Sequence, residues 1–204
     1  MVKVLPNPAV SAEGGSTMIE VLVAIVVLTL GLLGLAGLQA RLQVSEMEAY
    51  QRSQALILVS DMASRLAANR AGAAAYAAAA PVSGPLGPST CPTATGTQAE
   101  RDIRGWCEAL QGASETKASG TVRVGTLVGG RGCVENLGAG DYRVTVTWQG
   151  LVPIAERALG SGGASPLCGN NAYAGGTSCT GNLCRRYVTM LVRVPTLRTP
   201  FRNP

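Results

Sequence analysis

Gly14-Gly15-Ser16-Thr17-Met18-Ile19-Glu20 leads into Val21-Leu22-Val23-Ala24-Ile25-Val26-Val27-Leu28-Thr29-Leu30, an apolar run that continues to Leu38 with no further charge until Arg41. Met18 to Leu38 matches the roughly 20 residues, about 30 Å as a helix, that cross the hydrocarbon core of a bilayer. The stretch therefore reads as a membrane-spanning helix with one carboxylate, Glu20, near its start. An ionisable group inside a membrane costs about 2.5 to 3.5 kcal/mol on insertion scales, so such groups ordinarily pair or mark a function. With a single span in the chain, the partner of Glu20 is expected in another subunit or at a newly made N-terminus.

Two plainer readings compete for this stretch. A secretory signal peptide has an apolar core of about 7 to 15 residues followed by a small-residue cleavage site. Here the run is longer, and Leu38-Gln39-Ala40 makes a poor site. A plain signal anchor would leave Glu20 incidental, against the rule that acids at membrane depth are functional. Flanking charges do not set the orientation, because Lys3 on one side faces Arg41 and Arg52 on the other.

Gly15 followed by Ser-Thr-Met-Ile-Glu and an apolar helix resembles the type IV prepilin signal, whose common form is Gly, a cleavage point, then Phe-Thr-Leu-Ile-Glu. The resemblance implies cleavage after Gly15 by a membrane prepilin peptidase, methylation of the new amine on Ser16, and an N-in orientation. Glu20 then falls on the fifth position of the mature chain, where this family carries its subunit-assembly glutamate. Ser16 stands where the family usually has Phe, a difference that touches methylation more than cleavage.

Beyond the leader and the apolar run lie about 165 residues, the size of one modest domain. The formal net charge is +5, and Lys3 and Glu13 of the leader cancel. A weakly basic surface suits acidic neighbours without identifying nucleic acid. Cys91, Cys107, Cys133, Cys168, Cys179 and Cys184 all follow the apolar run, as suits an oxidising compartment such as the bacterial periplasm. Six cysteines allow 15 pairings. A pair within Cys168, Cys179 and Cys184 is favoured, because their Gly-, Asn- and Ser-rich segment has little else to hold it. Zinc is the rival use, but the chain has no His and no Cys-x-x-Cys. No metal and no cofactor are expected.

The helix is expected to run from Thr17 to Asn69, about 80 Å at 1.5 Å per residue, since no Pro falls between Ala9 and Ala80. Its second half carries Leu42, Tyr50, Ile57, Leu58, Met62 and Leu66 at helical spacing, a stripe expected to face its own domain. A free coiled coil would need a sustained heptad, which is missing. Gly31, Gly34 and Gly37 could permit close helix approach or local melting, or reflect the general frequency of Gly in membrane helices.

After Asn69 an alanine-rich stretch, 71–80, precedes Pro81, Pro85, Pro88 and Pro92, so 81–98 reads as a loop. A short helix is predicted from Ala99 to Gln111, with Ile103, Trp106, Cys107 and Leu110 on one face and Trp106 as a packing anchor. Strands are predicted over Thr121–Val128, Cys133–Leu137, Tyr142–Trp148 and Arg186–Val194. In the third, Tyr142, Val144, Val146 and Trp148 point one way and Arg143, Thr145 and Thr147 the other. Gly160 to Gly181 is dense in glycine and reads as a long loop. The expected fold class is α+β: a long N-terminal helix on a small antiparallel sheet, whose apolar face the emerging half of the helix covers.

That plan also resembles pilins, and Asp102-Ile103-Arg104-Gly105-Trp106, Gly132-Cys133-Val134 and Tyr142 to Trp148 look like segments of a minor pilin. The resemblance implies a leader at 1–15, a transmembrane half-helix at 16–40, an amphipathic half at 41–70 and a periplasmic head at 71–204. It implies an inner-membrane subunit that meets other minor pilins and the major pilin in a complex priming pilus growth. A minor pseudopilin of a type II secretion system would share all these features.

Catalysis is not expected, for there is no His, no phosphate-binding Gly loop and no paired-carboxylate motif. Mature-chain lysine is limited to Lys117. The remaining alternative is a DNA- or surface-binding module. Arg185, Arg186, Arg193, Arg198 and Arg202 follow Glu156 with no intervening acid, but interleaved aromatics and a nucleic-acid-binding motif are lacking.

Overall fold

The computed structural model describes residues 17–87, 90–112, 127–155, 166–175 and 177–195. Its elements are α1 (Met18–Ala68), a 3-10 turn (Arg70–Gly72), α2 (Ala73–Ala79), α3 (Gln98–Leu110), β1 (Arg131–Gly138), β2 (Asp141–Gln149) and β3 (Arg185–Arg193). The chain is α+β, and it divides after Val44 into two compact units.

In the first unit every described side chain is exposed. Leu33 is 70% exposed and Leu22 60%. A helix apolar all round must be covered from outside, by lipid or by other helices. It is long and apolar enough to cross a membrane. Thr29 donates its hydroxyl to the Val26 carbonyl at 2.8 Å, so the run's one hydroxyl is satisfied within the helix. Helix α1 continues through Gly31, Gly34 and Gly37 without melting, and a Cβ at any of them would meet nothing within 4 Å.

In the second unit the buried stripe of α1 is Gln51, Ala55, Leu58, Val59, Met62, Ala63 and Leu66, spaced by three and four. This corrects the expected stripe. Leu42, Tyr50 and Ile57 are exposed, and only Leu58, Met62 and Leu66 of the expected set face the core. Tyr50 and Ile57 lie two turns apart and share a different face of the helix, which the domain leaves uncovered.

The alanine stretch does not extend α1. Asn69 leaves the helical region (φ −105°, ψ 62°), and the chain re-enters through the 3-10 turn into α2. This break turns Tyr76 inward to full burial. A capping box starts α3: Thr97 accepts from the Glu100 N–H at 3.2 Å, and Glu100 accepts from the Thr97 N–H at 2.8 Å. Its buried face is Ala99, Asp102, Ile103, Trp106, Cys107 and Leu110. Trp106 is fully buried and donates its indole N–H to the Leu58 carbonyl at 2.9 Å, which locks α3 to α1. Gly132 of β1 lies under this ring, where a Cβ would come within 2.3 Å of Trp106.

The strands form one antiparallel sheet of order β1-β2-β3, with Val134 opposite Val144 and Val146 opposite Val188. The turn between β1 and β2 uses positive φ at Gly138, Ala139 and Gly140, so its two glycines relieve strain that a side chain would feel. The loop 81–98 lends Leu86 to a two-hydrogen-bond bridge with Gly132, beside the Val134 N–H bonded to the Ala80 carbonyl at 2.8 Å. The strand expected at Thr121–Val128 falls on 121–126, outside the described residues, while Leu127 and Val128 lie in a bend and a turn.

The cover of the sheet differs from expectation in two ways. The core face is shared by the second half of α1 with α2 and α3, which lie against β1. The other face is covered too: Thr145 and Thr147 are buried rather than solvent-facing. Residues 166–175, within the stretch expected to be a long loop, lie over them. Tyr173 and Thr147 share a hydroxyl hydrogen bond at 2.9 Å, and Tyr173 donates to the Gly129 carbonyl at 3.0 Å.

Candidate functional site

Gly15 and Ser16 lie outside the described residues. Glu20 occupies the first turn of α1, is exposed, and its N–H bonds the Thr17 carbonyl at 2.9 Å. Thr17-Met18-Ile19-Glu20 has the capping-box spacing, and a carboxylate in a first turn meets the positive end of the helix dipole. This is the least costly place on an apolar helix to keep an acid. The same carboxylate heads a long run of exposed apolar side chains.

All six cysteines are paired: Cys91 with Cys107, Cys133 with Cys168, and Cys179 with Cys184. The favoured pair among the last three is Cys179–Cys184, which closes a short loop before β3. Cys168 instead reaches back to β1, which explains how the segment around Tyr173 is held on the sheet. Loop-closure entropy assigns about 3, 4 and 2 kcal/mol to bridges of sequence separation 16, 35 and 5. Among the described residues no cluster of His, Cys, Asp or Glu could hold a metal ion.

The three described arginines of the C-terminal stretch are each engaged within the chain. Arg185 is buried, its guanidinium donating to the carbonyls of Pro166 and Cys168 and stacked 5.5 Å from the Tyr187 ring. Burial pushes its pKa down. Arg186 pairs with Glu48 of α1 at 3.3 Å, and Arg193 pairs with Asp141 at 3.1 Å. Arg198 and Arg202 lie outside the described residues.

One polar cluster escaped the sequence reading. Asp102, 7% exposed, accepts from the Tyr76 hydroxyl, from Gln98 at 2.9 Å and from Arg65 at 3.4 Å, while Asn69 donates to the Tyr76 oxygen at 3.2 Å. The cluster ties α1, α2 and α3 together at one point. Its signal in the sequence was an acid beside Ile103 and Trp106 on the apolar face of α3. Burial, then the hydrogen bond to Asp102, pushes the Tyr76 pKa up to about 12, and burial does the same for Tyr173.

A tyrosine whose folded pKa lies above its unfolded value of about 10 contributes stability that is intact below pH 10 and is lost as pH rises towards 12. The melting temperature of the protein is expected to fall steeply from pH 10 to 12 and less steeply in Tyr173→Phe. Parallel curves in thermal melts by circular dichroism would contradict this assignment.

No family model, no curated protein and no solved structure matches this chain.

Proposed function

We propose that this chain is a type IV pilin-like subunit, anchored by α1 in the bacterial inner membrane with residues 45–204 in the periplasm. Within that class it reads as a minor pilin of the kind called type IV pilus modification protein PilV, a non-catalytic participant in a priming or tip complex with other minor pilins and the major pilin. The observation that carries the reading is Glu20 in the first turn of a helix whose apolar surface is exposed on all sides, directly after Gly15-Ser16. Three disulfides support an oxidising compartment.

The mechanism follows from the charges. Before cleavage the segment ahead of Ser16 blocks its amine. Prepilin peptidase cuts after Gly15 and leaves a cation at the head of the apolar helix, and Glu20 of one subunit then meets the terminal amine of a neighbour. Two poorly solvated charges become a pair, and the apolar faces of α1 in both subunits cover each other. The exposed Tyr50 and Ile57 would extend that contact beyond the lipid. Loss of co-purification with partner pilins in Glu20→Ala tests the reading.

A minor pseudopilin of a type II secretion system would use the same residues, and the partners crosslinked near Glu20 separate the two. The DNA-binding alternative is weakened by the engagement of Arg185, Arg186 and Arg193 inside the chain.

A further inference from the structure

A cleft of about 430 Å³ opens where α1 passes the end of the sheet. That volume lies in the range that holds small ligands and side chains. Glu48, Ala49 and Arg52 of α1 form one wall, and Trp148, Ile154 and Arg186 form the other. Trp148 and Arg186 stand directly opposite each other in the β2–β3 register, so both project from the core face of the sheet.

The polar groups of this cleft are unevenly matched. Glu48 and Arg52 have the i,i+4 spacing, with the acid first, that normally makes a helix ion pair. Here Glu48 turns away, accepting from the Leu151 N–H at 3.1 Å and from Arg186 at 3.3 Å. Arg52 is left exposed on the rim, with no hydrogen bond or ion pair among the described residues. The Trp148 indole N–H and the Arg186 Nε–H are buried and also lack an acceptor. Among the described lining residues Glu48 is the one carboxylate, and it is already engaged. The cleft thus offers the exposed cation of Arg52 at its rim beside an apolar wall of Trp148 and Ile154.

We propose that this cleft binds an acidic segment of a partner polypeptide, one carboxylate meeting Arg52 at the rim while a neighbouring aliphatic side chain packs on Trp148 and Ile154. A planar guanidinium matches a carboxylate in a forked geometry, and Arg with Trp is the composition of interface anchors. A nucleic-acid strand would need a continuing row of cations along its backbone. Arg65, Arg104, Arg143, Arg186 and Arg193 each pair with an acid of this chain, which takes them out of such a row. The proposal stands whether or not the chain is a pilin.

The test uses the full chain in detergent micelles and fluorescence anisotropy. The probes are a fluorescein-labelled peptide Gly-Leu-Glu-Glu-Leu-Gly and its twin with Gln in place of both Glu. The Glu peptide is expected to bind about tenfold more tightly, the size of one charge-assisted contact. Arg52→Ala, an exposed position whose loss spares the fold, should abolish that preference. Equal binding of the two peptides to the wild type, or a preference that survives Arg52→Ala, would overturn the proposal. So would stronger binding of a single-stranded dodecanucleotide that weakens steeply with salt.

Discussion

Glu20→Ala is expected to abolish co-purification with partner pilins while leaving the fold of residues 45–195 untouched. The carboxylate sits in the first turn of α1, in a segment whose described side chains are exposed, and Glu20 is no member of the buried core. On the proposed reading, what it removes is one half of an intermolecular pair. Truncating one partner of a buried pair leaves an uncompensated charge and costs about 3 to 5 kcal/mol. At about 1.4 kcal/mol per factor of ten, association weakens by roughly a hundredfold or more. Glu20→Gln separates the contributions: a partner that needs the charge treats it like Ala, and one that needs only a hydrogen bond accepts it. Circular dichroism of the variant should match the wild type, and unchanged recovery of partner pilins would remove Glu20 from assembly.

Replacing Cys133 and Cys168 together by Ser is expected to cost about 4 kcal/mol, the largest loss among the three bridges, because this one closes the longest loop, with a sequence separation of 35. Against a typical total of about 5 to 15 kcal/mol, the loss is large. The melting temperature should drop by roughly 10 to 15 °C for a domain of this size. The bridge also pins residues 166–175 over the back of the sheet, so its loss uncovers Thr145 and Thr147 and frees Tyr173. Cys179→Ser with Cys184→Ser opens a loop of separation 5 and should cost about half as much. Equal losses from both double variants would show that loop entropy is not what these bridges contribute.

Periodicity made the main elements legible. The 3.6-residue repeat of Ile103, Trp106, Cys107 and Leu110 placed α3 within a residue, and the alternation of Tyr142, Val144, Val146 and Trp148 placed β2. The uncharged run and the distance to the first prolines gave the extent of α1. Periodicity could not say which body covers a stripe. Leu42, Tyr50 and Ile57 repeat as regularly as Leu58, Met62 and Leu66, yet only the second set meets the domain. Alternation failed at Thr145 and Thr147 for a related reason: a hydroxyl side chain on the second face of a strand suits water, or equally a tethered loop that supplies hydrogen bonds.

Contacts between distant residues were out of reach. The Glu48–Arg186 pair joins positions 138 residues apart, and Asp102 gathers partners from three helices. Arg185 and Arg186, which begin the basic C-terminal stretch, are held by the carbonyls of Pro166 and Cys168 and by Glu48. Adjacent arginines in one strand project to opposite faces, so their nearness in sequence carries no promise of a shared surface.

The central claim is that a peptidase uncovers an amine beside Glu20 and that this amine is the counter-ion for assembly. N-terminal sequencing of the mature protein from cells with a working prepilin peptidase, with mass analysis for an added methyl group, tests it most directly. A chain beginning at Ser16 is the predicted result. An intact Met1, or a start near Arg41, would contradict it.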